Sequence, residues 1–186
     1  DNFDARVTGA ATLSESSATN NMMHYTLPSL VDDLTVAVSY TPAGANDESS
    51  SAYALTYAGV EGLSVSYGHG SADGDAAGAG GTAANSDTTS MKASYAIGSF
   101  TLAYSDHDHD SNTDTSDQTA SSWKVSYTVS DAVSVTYGTE SIDSKGTADT
   151  SDAEYTKITA SHTSGGMTVS ANYQEANEMS YTTATD

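Results

Sequence analysis

"SSWKVSYTVSDAVSVTYGTE", from Ser121 to Glu140, decides the fold. Trp123, Val125, Tyr127 and Val129 are apolar, and Lys124, Ser126 and Thr128 between them are polar. After Ser130-Asp131-Ala132 the rhythm resumes with Val133, Val135 and Tyr137. A strict period of two predicts strands with one apolar and one polar face. The short break between them predicts a hairpin, and tyrosine closes each apolar face at one end.

The same rhythm recurs about ten times along the chain. Strands are predicted at 22–27, 34–41, 52–58, 63–68, 90–97, 100–105, 121–129, 133–139, 153–161 and 167–174. Their connections alternate in length. Pro28–Asp33, Gly59–Gly62, Gly98-Ser99, Ser130–Ala132 and His162–Gly166 are short; Pro42–Ser51, Gly70–Thr89, Asp106–Ala120, Glu140–Asp152 and the tail from Glu175 are long. The long ones are rich in Asp, Ser, Thr, Gly and Asn, as in "GSADGDAAGAGGTAANSDTT", and have almost nothing to bury. All short turns then fall on one edge of the sheet and all long loops on the other, which matches an up-and-down barrel crossing a membrane.

The tyrosines carry the same message. Tyr25, Tyr57, Tyr95 and Tyr127 close apolar faces just before short turns, whereas Tyr40, Tyr67, Tyr104, Tyr137 and Tyr173 close them on the way to long loops. Between the two rows the face is Val, Leu, Ala, Met and Ile. A phenol buries its ring and keeps its hydroxyl wet, so it favours the headgroup level. Two such rows flanking an apolar band are the aromatic girdles of a lipid-facing wall. A soluble antiparallel sandwich shares the alternation and the tyrosines but explains neither the two rows nor the loop asymmetry. The fifth hairpin fits least well; Tyr155 and Lys157 are assigned to the polar side, Ile158 and Ala160 to the apolar side.

Composition narrows the partners. Among 186 residues, 25 are acidic and 5 are Lys or Arg, for a net charge of -20. That argues against nucleic acid, which needs clustered basic residues. No cysteine is present, so disulfides and thiolate chemistry are excluded. No apolar run reaches the ~20 residues of a membrane helix. The start, Asp1-Asn2-Phe3-Asp4, has neither a basic segment nor an apolar core, as expected of a mature or trimmed chain. Ser, His and Asp occur scattered through loops, without the mutual spacing that would nominate a triad, and no phosphate loop or zinc signature appears, so no enzyme is expected.

"DHDHDSNTDTSD", Asp106 to Asp117, is the densest acidic stretch. Asp106, Asp108, Asp110, Asn112, Asp114 and Asp117 stand at calcium-loop positions 1, 3, 5, 7, 9 and 12. Ser111 stands where the turn glycine belongs, however, and Asp replaces the bidentate Glu. A solvated outer loop, a calcium site, or a transition-metal site using His107 and His109 with these carboxylates are the alternatives.

With these residues in view, the chain resembles the trimeric general-diffusion porins of the Gram-negative outer membrane, of the alphaproteobacterial type. The carrying stretches are "LPSLVDDLTVAVSYTPAG", "YALTYAGVEGLSVSYGHG", "KASYAIGSFTLAYS", "SSWKVSYTVSDAVSVTYGTESID" and "YTKITASHTSGGMTVSANYQEANEMSYTT". The signal is a repeated hairpin architecture rather than one motif. The resemblance implies an all-β transmembrane antiparallel barrel of ~16 strands, of which about ten are present here. It also implies a homotrimer in lipid and lipopolysaccharide, extracellular long loops, passive diffusion of small hydrophilic solutes, and no required cofactor, with calcium at the loops as the candidate ion. Registered on the family, 22–27 is the sixth strand and 167–174 the fifteenth. Residues 1–21 then end the inward constricting loop, 22–174 form the strands and 175–186 part of an outer loop, as in a fragment lacking strands at both ends.

The resemblance also nominates wall residues. His24, Lys92, Lys124 and Lys157 fall on the predicted lumen face of strands running from the long-loop side to the turns. They are either plain solvated residues of a polar face, the reading His24 alone favours, or a row of positive charge that sets pore selectivity, with Arg6 joining from the constricting loop. The alternative function is an acidic, calcium-binding structural or adhesive surface protein.

Overall fold

The computed structural model describes residues 22–28, 31–43, 49–73, 85–111, 117–144 and 152–178. Ten strands follow one another: β1 (Met23–Thr26), β2 (Leu34–Thr41), β3 (Ser50–Val60), β4 (Leu63–Ala72), β5 (Ser86–Ile97), β6 (Phe100–Ser111), β7 (Gln118–Ser130), β8 (Val133–Ser144), β9 (Ala153–Ser164) and β10 (Met167–Asn177). They form one antiparallel sheet in sequence order, each strand beside its chain neighbour. No helix among the described residues is long and apolar enough to cross a membrane.

Four hairpins close through two residues: Glu61-Gly62, Gly98-Ser99, Asp131-Ala132 and Gly165-Gly166. Tight hairpin turns call for positive φ, which glycine supplies without strain. Gly62 has φ 77°, and a Cβ there would run into the Ala96 carbonyl oxygen on the neighbouring strand. Gly98 has φ 56° with open space around its missing Cβ. Gly62→Ala is therefore expected to cost about 2–3 kcal/mol, combining backbone strain and a clash, and Gly98→Ala only about 1–2 kcal/mol. Urea titration of the two variants folded in lipid vesicles checks the order.

Register assigns every side chain to a face. Across β6 to β10, Leu102, Val125, Tyr137, Ile158 and Tyr173 lie opposite one another in a row. Tyr53, Leu55 and Tyr57 of β3 share that face with Val38, Val36 and Leu34 of β2. The large apolar side chains that remain exposed fall on this face along the strands, among them Met23, Tyr40, Phe100, Leu102, Trp123, Val135, Met167 and Tyr173. The other face is Ser, Thr, Ala and Gly with a few charges. Ordinary burial is thus reversed: the large side chains point outward from the fold, and among the described residues the buried hydrophobic cluster is Ala120, Ile142, Ala153 and Tyr155 on the polar face, with Ala176 against it.

The aromatic side chains sit where the alternation put them. Tyr25, Tyr57, Tyr95 and Tyr127 lie on the apolar face toward the short turns; Tyr40, Tyr67, Tyr104, Tyr137 and Tyr173 lie on it toward the long-loop ends. Phe100 stacks on Tyr127 with ring centroids 4.5 Å apart. Trp123 tilts against Tyr137 at 5.3 Å, and Tyr53 against Tyr67 at 6.1 Å. Tyr155 and Lys157 share the polar face, while Ile158 and Ala160 share the apolar one.

The strands outrun the alternation at their long-loop ends. β5 begins at Ser86, not residue 90, and β6 ends at Ser111, not residue 105. β7 begins at Gln118, β8 ends at Ser144 and β10 at Asn177, past the boundary drawn at 174. Most side chains of these extensions are polar, and the apolar ones, Ala120, Ile142 and Ala176, fall on the otherwise polar face, so no lipid-side period of two marks them, yet the backbone ladder continues. The acidic stretch is corrected by this. Asp106, Asp108 and Asp110 stand on strand β6, on the face of Leu102 and Tyr104, with Tyr104 donating from its hydroxyl to Asp106 at 3.2 Å. Alternate carboxylates on an extended strand are about 7 Å apart at Cα and do not curl around an ion as a calcium loop does. His107 and His109 point to the opposite face, so they cannot share an ion with these carboxylates. Among the described residues no group of three or more His, Asp or Glu is arranged to hold a metal. Asn112 and Asp114 lie outside the described residues, as do residues 1–21 with Arg6.

The row through Leu102 also gives the tilt of the strands. Leu102 lies three residues past Ser99, and Tyr173, four strands on, lies seven past Gly166. The row therefore climbs about one residue per strand. With a rise of about 3.4 Å per residue and about 4.8 Å between strands, the strands lean by roughly 35°, at the lower end of the range for membrane barrels.

Candidate functional site: the polar wall

Charge on the polar face gathers in the half toward the long loops. Lys92 stands six residues before Gly98, Lys124 seven before Asp131 and Lys157 eight before Gly165. Counted from the turns, the three lysines on β5, β7 and β9 thus occupy similar levels. His24 stands on the same face of β1, opposite Ser39 and exposed. Lys92 is exposed, whereas Lys124 and Lys157 are half-buried.

Lys124 and Lys157 lie directly opposite the two sides of Gly138. The glycine leaves a gap between two cations that are two strands apart, roughly 10 Å at the backbone. A Cβ at Gly138 would meet the Trp123 carbonyl oxygen at 3.3 Å and the Lys124 stem at 3.6 Å, so the gap is narrow as well as empty. Glu140, next along this face of β8, is buried and stands opposite Ser122 and Tyr155. It is therefore diagonal to both lysines, within reach of long side chains. Sequence reasoning missed Glu140: it is one acid among many, and only the pairing register shows that it faces the lysines.

The half toward the turns is uncharged, and its hydroxyls bond to one another across strands. Thr56 pairs with Ser66 at 3.1 Å, Ser126 with Thr136 at 3.0 Å and Ser134 with Ser161 at 2.7 Å. At mid-height Ser105 meets Ser122 at 2.6 Å. Over β3 and β4 the polar face forms a groove floored by Ala52, Ala54, Gly68 and Gly70, with His24 and His107 on its lining. His107 and His109 stand on this face, away from the aspartates that alternate with them, each beside a hydroxyl of β5: Ser90 at 2.8 Å and Thr88 at 3.0 Å.

A sheet with large apolar side chains outside, tyrosines at both ends of that band and, among the described residues, no Asp, Glu, Lys or Arg between those tyrosines defines the class: the wall of a membrane-spanning β-barrel. The chain belongs to the Gram-negative porin family, whose profile matches residues 1–186. Among solved structures it is similar to OmpT folded in vitro, an outer membrane protein of Vibrio cholerae, with a TM-score of 0.59 and 15% identity over 84% of this chain and 53% of that one. A loop L8 deletion mutant of OmpT from the same organism gives a TM-score of 0.54 and 15% identity over 90% of this chain and 65% of that one. The chain thus spans about half to two thirds of the length of these barrels. A search of curated proteins found no match.

Proposed function

We propose that this wall lines a water-filled channel for the passive diffusion of small hydrophilic solutes and ions, without catalytic activity. The protein is read as a homotrimer in lipid and lipopolysaccharide, with its long loops outside. One observation carries the proposal: the exposed large side chains share one face, and the lysines, Glu140 and the hydroxyl pairs share the other. In water the first face would aggregate; in hydrocarbon it is at home, and the second face then needs water. A soluble adhesive domain would leave the apolar face wet.

Selectivity follows from size and from the charge of the wall. The net charge of -20 raises the local concentration of cations near the loops, while Lys124 and Lys157, diagonal to Glu140 on the same face, make a local field of opposite sign. Weak cation preference is the expected sum. In planar bilayers with a salt gradient, the reversal potential should have the sign of a cation-preferring pore; an anion-preferring sign contradicts this account of selectivity. The channel reading itself is tested by extraction and conductance. The protein should leave membranes only with detergent, run at a heat-dependent position on gels and give unit conductance steps.

A further inference from the structure

We propose that the apolar face of β4 to β6 carries a seat for one membrane lipid with an amine headgroup: a groove over Ala93 takes part of an acyl chain, and the carboxylates beyond it, toward the long loops, take the ammonium group. The groove has a volume of about 200 Å³ and is lined on this face by Leu63, Ala93, Tyr95, Leu102 and Tyr104. Its floor is one small residue. Ala93 stands between Val65 of β4 and Tyr104 of β6, and between Met91 and Tyr95 on the same face of its own strand. All of these neighbours are larger, so the lone methyl group leaves a depression in the band. The depression is continuous with the wall that meets hydrocarbon. Left empty it would forfeit dispersion contacts on every side, and a flexible acyl chain can follow its shape.

Charge decides the headgroup. Beyond the groove on the same face come Asp106 opposite Met91, Asp108 opposite Thr89, and Asp110 opposite Asp87. Asp106 and Asp108 are half-buried, and Asp87 and Asp110 are exposed, so the row is open to the headgroup layer. The Tyr104 hydroxyl donates to Asp106 at 3.2 Å and joins the end of the groove to the start of the row. The rim stays acidic on β8 to β10, with Asp143, Glu154 and Glu175 on this face. Among the described residues no Lys or Arg answers them here; Lys92, Lys124 and Lys157 all stand on the polar face. His69, with Nε2 3.9 Å from Asp87, is the one titratable base facing the row. A headgroup that is purely anionic meets like charge at this rim. A primary ammonium brings a positive charge and three donors to carboxylates that otherwise repel one another. A second copy of the chain presenting β5 to β10 would set carboxylate against carboxylate, which disfavours it as the occupant.

The seat rests on the lipid-facing wall and not on the channel. Trp123, the single tryptophan, lies directly opposite Tyr104 and reports on the groove. The full-length protein is folded into phosphatidylcholine vesicles that contain a minor fraction of phosphatidylethanolamine or phosphatidylglycerol with brominated chains, which quench tryptophan on contact. EDTA is present, so that no divalent ion bridges carboxylate to phosphate. The relative binding constant should be at least about threefold higher for the ethanolamine lipid than for the glycerol lipid. Ala93→Leu, which fills the groove, should reduce it to that of bulk lipid. Asp106→Asn combined with Asp108→Asn should abolish the preference between headgroups and keep the quenching. Ala160→Leu, on the same face of β9, should change nothing. Heat-dependent gel mobility verifies that each variant has folded. Equal quenching by the two lipids in the native protein, or quenching indifferent to Ala93→Leu, overturns the seat alone. Loss of a cross-linked oligomer in Ala93→Leu overturns it too, because the groove is then a contact between copies. Absence of quenching by either lipid overturns the lipid-facing wall and the seat with it. Conductance of the same preparations is read separately: preferential quenching without any channel would refute the porin mechanism and leave the seat standing.

Discussion

Val125→Arg is expected to cost about 2–4 kcal/mol of stability in a bilayer, enough to abolish most folding, while Ser126→Arg, one residue away, should cost less than about 1 kcal/mol. Val125 lies between Tyr127 and Trp123 on the apolar face, opposite Leu102 and Tyr137. A guanidinium there stands in hydrocarbon, too far from either end of the band to reach water easily. Ser126 is on the other face, where it gives up one hydroxyl pair with Thr136 at 3.0 Å and gains access to water. A soluble sheet with its core on the Val125 side would also suffer from Val125→Arg, so the environment must be varied. Replacing Val125 by Leu or Ile should be neutral in lipid, because a larger apolar group facing acyl chains meets no packed neighbour; in a protein core it would overpack. Urea titration of the variants in lipid vesicles, read by tryptophan emission from Trp123, gives both answers. Equal costs for Val125→Arg and Ser126→Arg, or a penalty for Val125→Ile above about 1 kcal/mol, would mean that this face does not meet lipid.

The second large effect is electrostatic. Glu140→Gln removes the one carboxylate that register places diagonal to both Lys124 and Lys157. The two lysines then act on passing ions without an opposing charge. At a separation of about 8 Å, a unit charge contributes about 0.5 kcal/mol at the dielectric constant of water and about 2 kcal/mol at an effective value of 20. The ratio of anion to cation permeability should therefore rise by a factor of roughly 2 to 30. Lys124→Gln together with Lys157→Gln should move it the other way. Reversal potentials in a potassium chloride gradient measure both. A Glu140→Gln channel with unchanged selectivity would place these three residues away from the ion path. The shift should fade as salt is raised, because the Debye length falls from about 10 Å at 0.1 M to about 3 Å at 1 M.

What the sequence made legible was the part of each strand where the two sides of the wall meet different solvents. Trp123, Lys124, Val125, Ser126 and Tyr127 alternate because lipid and water demand it, and the strand follows. Where both sides carry polar residues, as at Asp106–Ser111 or Ser86–Ser90, the demand vanishes and the pattern with it. Those residues looked like loop, although backbone hydrogen bonds, which need no particular side chain, carry the ladder through them. The calcium spacing at Asp106, Asp108 and Asp110 is the same effect from another side: a period of two fits alternate calcium ligands and an extended strand equally well. Glu140 and the pairs His107–Ser90 and His109–Thr88 stayed hidden for a different reason. They depend on which residue of one strand faces which residue of the next; for Glu140 and Lys124 the bulge between Thr128 and Ser130 shifts that register by an amount no local pattern announces.

The lean of the strands has a consequence for the size of what they enclose. A strand inclined by roughly 35° takes up about 6 Å of circumference instead of the 4.8 Å between neighbours measured square to the chain. The ten strands of this sheet therefore account for about 60 Å of perimeter. Each further hairpin in such a cylinder would add about 12 Å to its girth, and so about 4 Å to its bore.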